Sequence, residues 1–388
     1  LRVDVYVTVW GAAFVDKYLT YSLASQLTPG NIPALARGEV EFVYHIYTDH
    51  ASETHFHPGI DALARHADVR FHFYEDIPYK GVSLAEAMVN SPPETVKHNV
   101  QRLTSLRFLA EAADAKSDAA ILLDSDFVFS EGSWPAMIEA RRAGAEAFCA
   151  MFLRLDEQDA APRLKVRIDT GLSGRDIVEI GLEALHPIAR AMFVDADPFT
   201  SYPSQLNWRV GASDGAGGRK EHMAGFVTHC YFPHPMLTKP RAGLRYTGTM
   251  DYEYALRAVG DDSKIALARN SDDFLVCKMT PGSYLAGQPR DGGKSIADLA
   301  RFAVSNTNLR HRLFMAQPIR FVAGGNDADW SEVEAHSTRL VEAIYAAVEV
   351  TLGTARSDAR TMVFLKSFLG PIEDFASPQT AARLKGWM

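Results

Sequence analysis

The chain has 388 residues, 47% of them hydrophobic and 23% charged, with a formal net charge of −8, enough for a sizeable core in one large domain or two to three modest ones. A nucleic-acid binder needs a basic face, so the acidic balance argues against that class, and an anionic ligand would have to be held locally by a metal, Lys or Arg. No apolar run reaches membrane-span length and the amino terminus lacks a basic-then-apolar signal pattern; the expectation is a cytoplasmic protein without a transmembrane segment, with peripheral contact at the inner face of a membrane still open to it.

In chain order, Val3 to Trp10 is rich in β-branched and aromatic residues and reads as a first strand. Phe14 to Leu27 has near-helical apolar spacing and is closed by Pro29 and Gly30. Strands are expected at Glu41 to Thr48 and Asp68 to Tyr74, with a short helix between them at Ile60 to His66. A long helix from about Glu94 to Ala113 then leads into the apolar run Ala119 to Leu123. This alternation predicts an α/β fold with a mostly parallel sheet and helices on both faces. Further on, Glu146 to Leu153 reads as a strand, and Ser173 caps a helix reaching Met192. The segment Asn207 to His229 reads as a hairpin about the Gly-rich turn Asp214 to Gly218. Helices dominate from about Ser295, with Asp329 to Glu332 as a capping box before a helix to Val350. Cys149, Cys230 and Cys277 lack CxxC spacing and are expected to be buried thiols in a reducing compartment.

The most informative residues are Asp124-Ser125-Asp126. Two carboxylates emerging from a buried strand repel each other unless a cation or a proton offsets them. The carboxyl edge of an open α/β sheet is also where ligands bind. There is no GxGxxG after the first strand and no GxxxxGK[ST], so a nucleotide would be held without either phosphate-binding loop.

The order of these strands, the long helix with Lys97 and Arg102, and the run Ile121-Leu-Leu-Asp-Ser-Asp126 together resemble the nucleotide-sugar half of a GT-A glycosyltransferase. The acidic motif is similar to that of the glycogenin-like and bacterial galactosyltransferase groups. The resemblance implies a Rossmann-like fold with residues 1–155 binding the nucleotide-sugar, 156–290 the acceptor, and 291–388 forming a helical C-terminal addition. It implies a hexosyltransferase using a UDP-sugar with Mn²⁺ or Mg²⁺, acting on a glycan or lipid-linked acceptor, as in polysaccharide biosynthesis. Asp126 would be the direct metal ligand and Asp124 a metal or ribose contact. Thr8, Val9 and Trp10 would face base and ribose with Asp49 nearby, and Lys97 and Arg102 would reach ribose or phosphate. His234, followed by Lys239-Pro240, is similar to the family's metal His and diphosphate Lys, although the intervening glycine is missing. Asp251, in the first turn of a helix capped by Thr249, would be the general base toward the acceptor in an inverting reaction, or would steady the acceptor or the oxocarbenium-like centre in a retaining one. Two rivals share these residues: a haloacid-dehalogenase-like phosphatase with Asp124 as nucleophile, and an inactive GT-A-like binding domain.

Overall fold

The computed structural model describes residues 1–355 except 37, 39, 58, 80, 90–92, 214–218, 245, 247–249 and 285–291. The Gly-rich turn at Asp214 to Gly218 and the Thr249 cap therefore lie outside the described residues, as does the chain beyond 355.

The strands that matter are β1 (Arg2–Thr8), β2 (Glu41–Thr48), β3 (Asp68–Phe73), β4 (Ala119–Asp124), β5 (Phe127–Phe129), β6 (Ala147–Ala150) and β7 (Leu153–Asp156). They continue as β8 (Gln205–Ser213), β9 (Arg219–Cys230), β10 (His234–Thr238), β11 (Ile265–Leu267), β12 (Val276–Thr280) and β13 (Ile319–Val322). The central sheet has seven strands in the order β11-β6-β10-β4-β1-β2-β3. Every neighbouring pair in it is parallel except those made by β10, which runs against both β4 and β6. The mostly parallel α/β architecture read from the sequence is thus the observed one.

Alternation along β1 sorts the layers. Val3, Val5 and Val7 face a core with Trp134, Met137 and Ile138 from the helix Ser133–Arg142. Tyr6 faces the opposite way, toward Phe108 of the long helix Pro93–Asp114, and its hydroxyl bonds Thr104 at 2.7 Å. Both faces are covered, which is why these strands read as continuous apolar runs.

Several expected boundaries move. Glu146 to Leu153 is not one strand: β6 stays in the central sheet and β7 joins a second, three-stranded sheet, β5-β12-β7. The expected helix to Met192 stops at Ala184, because His186 precedes Pro187 and takes the extended conformation favoured before proline; a separate turn, Pro187–Arg190, follows. Ser173 does cap its helix, in a capping box with Asp176. The helix expected from Phe14 to Leu27 is helical, but in three pieces with a π-turn at Tyr18–Leu23. The cap of the long C-terminal helix, Asp327–Ala355, is Asn326, whose side chain accepts from the Ala328 and Asp329 amides. All three cysteines are buried and free, as expected. Among the described residues no helix is long and apolar enough to cross a membrane.

Boundaries at 155 and 291 would cut through sheets. β10 and β11 return to the central sheet from beyond residue 230, and β13 pairs with β9 in the third sheet, β8-β9-β13. The described parts of the three segments therefore share sheets.

One buried amide holds the segment after β5. Asn31 donates to the carbonyls of Ser25 and Ser130 at 2.9 and 3.1 Å, and its oxygen accepts the Trp134 amide at 3.2 Å. Removing it orphans those groups, each worth about 1–3 kcal/mol. Asn31→Ala should therefore lower unfolding free energy by about 3 kcal/mol, read as a reduced urea midpoint.

Candidate active site at the end of the central strands

β4 delivers Asp124 beside Thr8 of β1, its register partner, and Thr48 closes β2 next to them. Thr8 is buried with its hydroxyl on the Tyr47 carbonyl, and the Val9 amide donates to the same carbonyl at 3.0 Å. Trp10 packs edge-on to Tyr74 at 5.3 Å, and Asp49 accepts the Ser52 amide at 2.8 Å. The sequence-derived residues Thr8, Val9, Trp10, Asp49 and Asp124 thus meet at one sheet edge.

The cation that balances the acidic motif is a residue the sequence reading missed. Lys278, in the middle of β12, places its Nζ 2.6 Å from Asp124 Oδ2 and 3.6 Å from Asp126 Oδ1. The other Asp124 oxygen accepts Gln101 Nε2 at 2.7 Å, from the long helix. Burial opposes ionisation of Asp124, but the charge and hydrogen bond of Lys278, with the charge of Lys97, outweigh it and hold the carboxyl well below its ordinary range. Burial and the Asp124 charge push Asp126 upward against the pull of Lys278. Burial alone would lower Lys278, yet the two carboxylates raise it. One ammonium therefore serves two carboxylates, with Asp124 the stronger partner. The signal was present as a single cationic residue inside the strand run Val276-Cys-Lys-Met-Thr280.

Arg154 is the second missed residue. The chain bends out of the central sheet at Met151 and Phe152, and Phe152 packs on Phe127 at 5.7 Å. The bend brings Arg154 to Thr280, bonded through Nη1 at 2.9 Å, and into the field of Asp126, Asp124 and Asp251. Burial lowers its affinity for the proton while those carboxylates raise it. A cavity of about 230 Å³ opens beside it, lined among others by Phe152, Arg154, Asn207, Asp251 and Tyr252. Asp251, exposed in the first turn of the helix Met250–Ala258, thus shares a cavity with a side chain that also faces the acidic motif.

The remaining candidates divide. Lys97 is exposed on the long helix, four residues before Gln101, and its charge reaches Asp124. Arg102 bonds Asn99 at 3.1 Å, one position round the helix from Gln101. His234 is buried beside β4, with Nε2 donating to the Leu122 carbonyl at 3.1 Å and the ring edge-on to Phe127. Only its Nδ1 is left to offer a metal. Lys239 is a correction. β10 is antiparallel to β4 with Thr238 opposite Ala120, so Lys239 emerges at the other edge of the sheet. At about 3.3 Å per residue it lies roughly 15 Å from Asp124, and it is not carried forward as a diphosphate ligand.

The donor atoms for a divalent cation are unequal. Both Asp124 oxygens are engaged, whereas Asp126 meets Lys278 only at 3.6 Å. Asp126 is therefore the carboxylate with acceptor capacity left for an ion, and an ion held by both carboxylates would require Lys278 to yield.

No family model and no curated protein matches this chain. Among solved structures it is similar to apo mouse xyloside xylosyltransferase 1, at 17% identity and a TM-score of 0.27 over 39% of this chain. It spans about half of that protein, 54% of its length. It is also similar to S. aureus TarS 1-349, at 10% identity and a TM-score of 0.33, covering 99% of this chain and 83% of that one. For the same TarS segment in complex with UDP-GlcNAc the identity is 10% and the TM-score 0.34, over 90% of this chain and 88% of that one.

Lys278→Met should destabilise the fold by about 2 kcal/mol, less than a fully buried broken pair because both partners keep some solvent contact. Adding Asp124→Asn should recover part of that loss. The depressed Asp124 contributes stability that is present above its unfolded value of 3.8 and is lost as pH falls. The gap between wild type and Lys278→Met, measured by denaturant unfolding, should therefore narrow below that pH.

Proposed function

We infer that the chain is a nucleotide-sugar-dependent glycosyltransferase with a GT-A-type donor site. It moves a sugar, as a hexosyltransferase, from a UDP-linked donor to a hydroxyl of a glycan or lipid-linked acceptor. The observation that carries this reading is the meeting of Asp124, Asp126 and Lys278 with Arg154 at the carboxyl edge of the parallel strands, next to the cavity that holds Asp251. Ligands of open α/β sheets bind at that edge. A leaving diphosphate needs positive charge aimed at it in a water-poor site.

In this reading Lys278 and Arg154 supply the protein's own cations to the donor phosphates. Thr8 to Trp10 and Asp49 form the rim for base and ribose. Lys97 and Arg102 face the ribose or phosphate from the long helix. Asp126, with His234 Nδ1, would hold Mn²⁺ or Mg²⁺, which when bound neutralises the charge developing on the departing diphosphate. Asp251 accepts the proton of the acceptor hydroxyl, in the cavity that Arg154 also lines. The aromatic rings of Phe152, Phe232 and Tyr252 in the cavity wall suit a sugar face.

The phosphatase reading needs Asp124 as a free nucleophile. Here both of its oxygens are bonded, to Gln101 and Lys278, which disfavours attack on phosphorus. The inactive binding domain differs in outcome rather than in geometry.

A panel of UDP-sugars assayed for donor hydrolysis with and without Mn²⁺ tests the proposal. Asp126→Ala should abolish turnover with the fold intact, and Asp251→Asn should lower kcat by about 10²–10⁴-fold while leaving donor affinity unchanged. Turnover that survives Asp126→Ala would remove the metal assignment. Absence of any nucleotide binding by calorimetry would remove the transferase reading altogether.

A further inference from the structure

A second cluster of metal-binding atoms lies beneath the central sheet, on the face covered by the long helix. Asp4, His45 and His72 come from the adjacent parallel strands β1, β2 and β3, and all three side chains lie on that face. His45 Nδ1 is 2.9 Å from His72 Nε2, and one ring nitrogen of each histidine and a carboxylate oxygen of Glu111 all lie within 4.8 Å of one another. From this arrangement we propose that His45, His72 and Glu111 form a divalent-metal site, of Zn²⁺ type, separate from the acidic motif.

The chemistry of the surrounding groups supports a cation there. His45 is buried, and its Nε2 is 2.8 Å from Asp4 Oδ1. Asp4 is itself buried and receives Arg2 Nε at 3.2 Å and the Ser117 hydroxyl. A carboxylate so supplied with donors accepts from the imidazole, which places the ring proton on Nε2 and the lone pair on Nδ1, toward His72 and Glu111. A carboxylate behind a histidine, fixing its tautomer and orientation, is the usual outer support of a metal-bound imidazole. The His72 ring is held in place by stacking on Tyr47 at 4.6 Å.

Two neutral imidazoles and one carboxylate, with a fourth position left to water, form a donor set that suits Zn²⁺ and other borderline ions better than Mg²⁺. Zinc–ligand distances of about 2.0–2.2 Å put neighbouring ligand atoms a little over 3 Å apart. His45 Nδ1 and His72 Nε2 are already near that spacing, joined by a hydrogen bond that His72 Nε2–H donates; a bound ion takes the place of that proton, which moves to His72 Nδ1. The adjustment falls on Glu111, half-buried at the open side, whose oxygens now contact Arg107 at 2.7 Å and the Tyr47 hydroxyl at 3.4 Å.

The site has a place in the architecture. Lys97, Gln101, Thr104, Phe108 and Glu111 recur at three- and four-residue intervals, one stripe of the helix. Gln101 reaches Asp124, Thr104 meets Tyr6, and Glu111 reaches the histidines. A bound ion would fasten two strands, β2 and β3, to the helix that orients the acidic motif, with β1 tied in through Asp4, about 15 Å along the helix axis from Gln101. The inference does not rest on the transferase reading.

Calorimetric titration of Zn²⁺ into the chelator-treated full chain, without a histidine tag, tests it, with Co²⁺ absorption as a second readout of imidazole ligation. The equivalent that gives the imidazole signature with Co²⁺ should bind in wild type and equally in Asp126→Ala, whatever ion the acidic motif takes, and should raise the thermal midpoint. Glu111→Gln should weaken binding at least tenfold, and His72→Ala should abolish it, each with an unchanged circular dichroism spectrum. Should His72→Ala fail to fold, the half-buried Glu111→Gln variant decides. Absence of Zn²⁺ binding in wild type, or binding that survives Glu111→Gln undiminished or is lost in Asp126→Ala, would overturn the proposal.

Discussion

The ion pair between Lys278 and the two aspartates is the constraint around which the rest of the molecule is arranged. Two carboxylates at the end of a buried strand cannot both ionise without compensation. The compensation comes from β12, more than 150 residues later in the chain, with Lys278 Nζ 2.6 Å from Asp124. The arrangement that meets that requirement has β12 beside β5 and the segment after β6 leaving the central sheet as β7, these three strands forming one sheet. Arg154 arrives with that excursion, and so does the wall of the cavity that contains Asp251.

Charge is distributed unevenly across the pair, and the chemistry follows from the inequality. Asp124 is saturated by Gln101 and Lys278, so it anchors the structure. Asp126 keeps its acceptor capacity and is held less firmly ionised, so it is the carboxylate able to exchange partners. A motif that looks symmetrical in spelling is asymmetrical in environment, which suits one structural and one ligand-facing role. The long helix links this edge to the histidine cluster under the sheet, because one stripe of its side chains touches both.

Much of the sheet was legible from local pattern. β1, β2, β3 and β4 each read as an apolar or β-branched run, and their parallel order followed from the alternation with helices. What failed did so where tertiary partners decided. The run from Glu146 to Leu153 has no internal breaker, yet it splits because its two halves pair with different strands, β10 on one side and β12 on the other. Lys239 looked like a partner for His234 by spacing, but strand direction carried it to the opposite edge. Direction is set by which neighbours a strand finds, and five residues of sequence do not record that.

The candidate site divides along the same line. The positions of Asp124, Asp126, Thr8, Val9, Trp10 and Asp49 could be placed from sequence, because they lie at or just beyond the ends of three strands, β4, β1 and β2, and strand ends are visible in a hydropathy pattern; the roles proposed for them came from the family resemblance. The local capping chemistry, such as Ser173 with Asp176, was recoverable for the same reason. Lys278, Gln101, Arg154 and the joining of His45 to His72 and Glu111 were settled only by the tertiary structure. Each depends on a contact between elements distant in sequence. The energy that selects such contacts, charge compensation in a low-dielectric interior, is a property of the pair and is carried by neither residue alone.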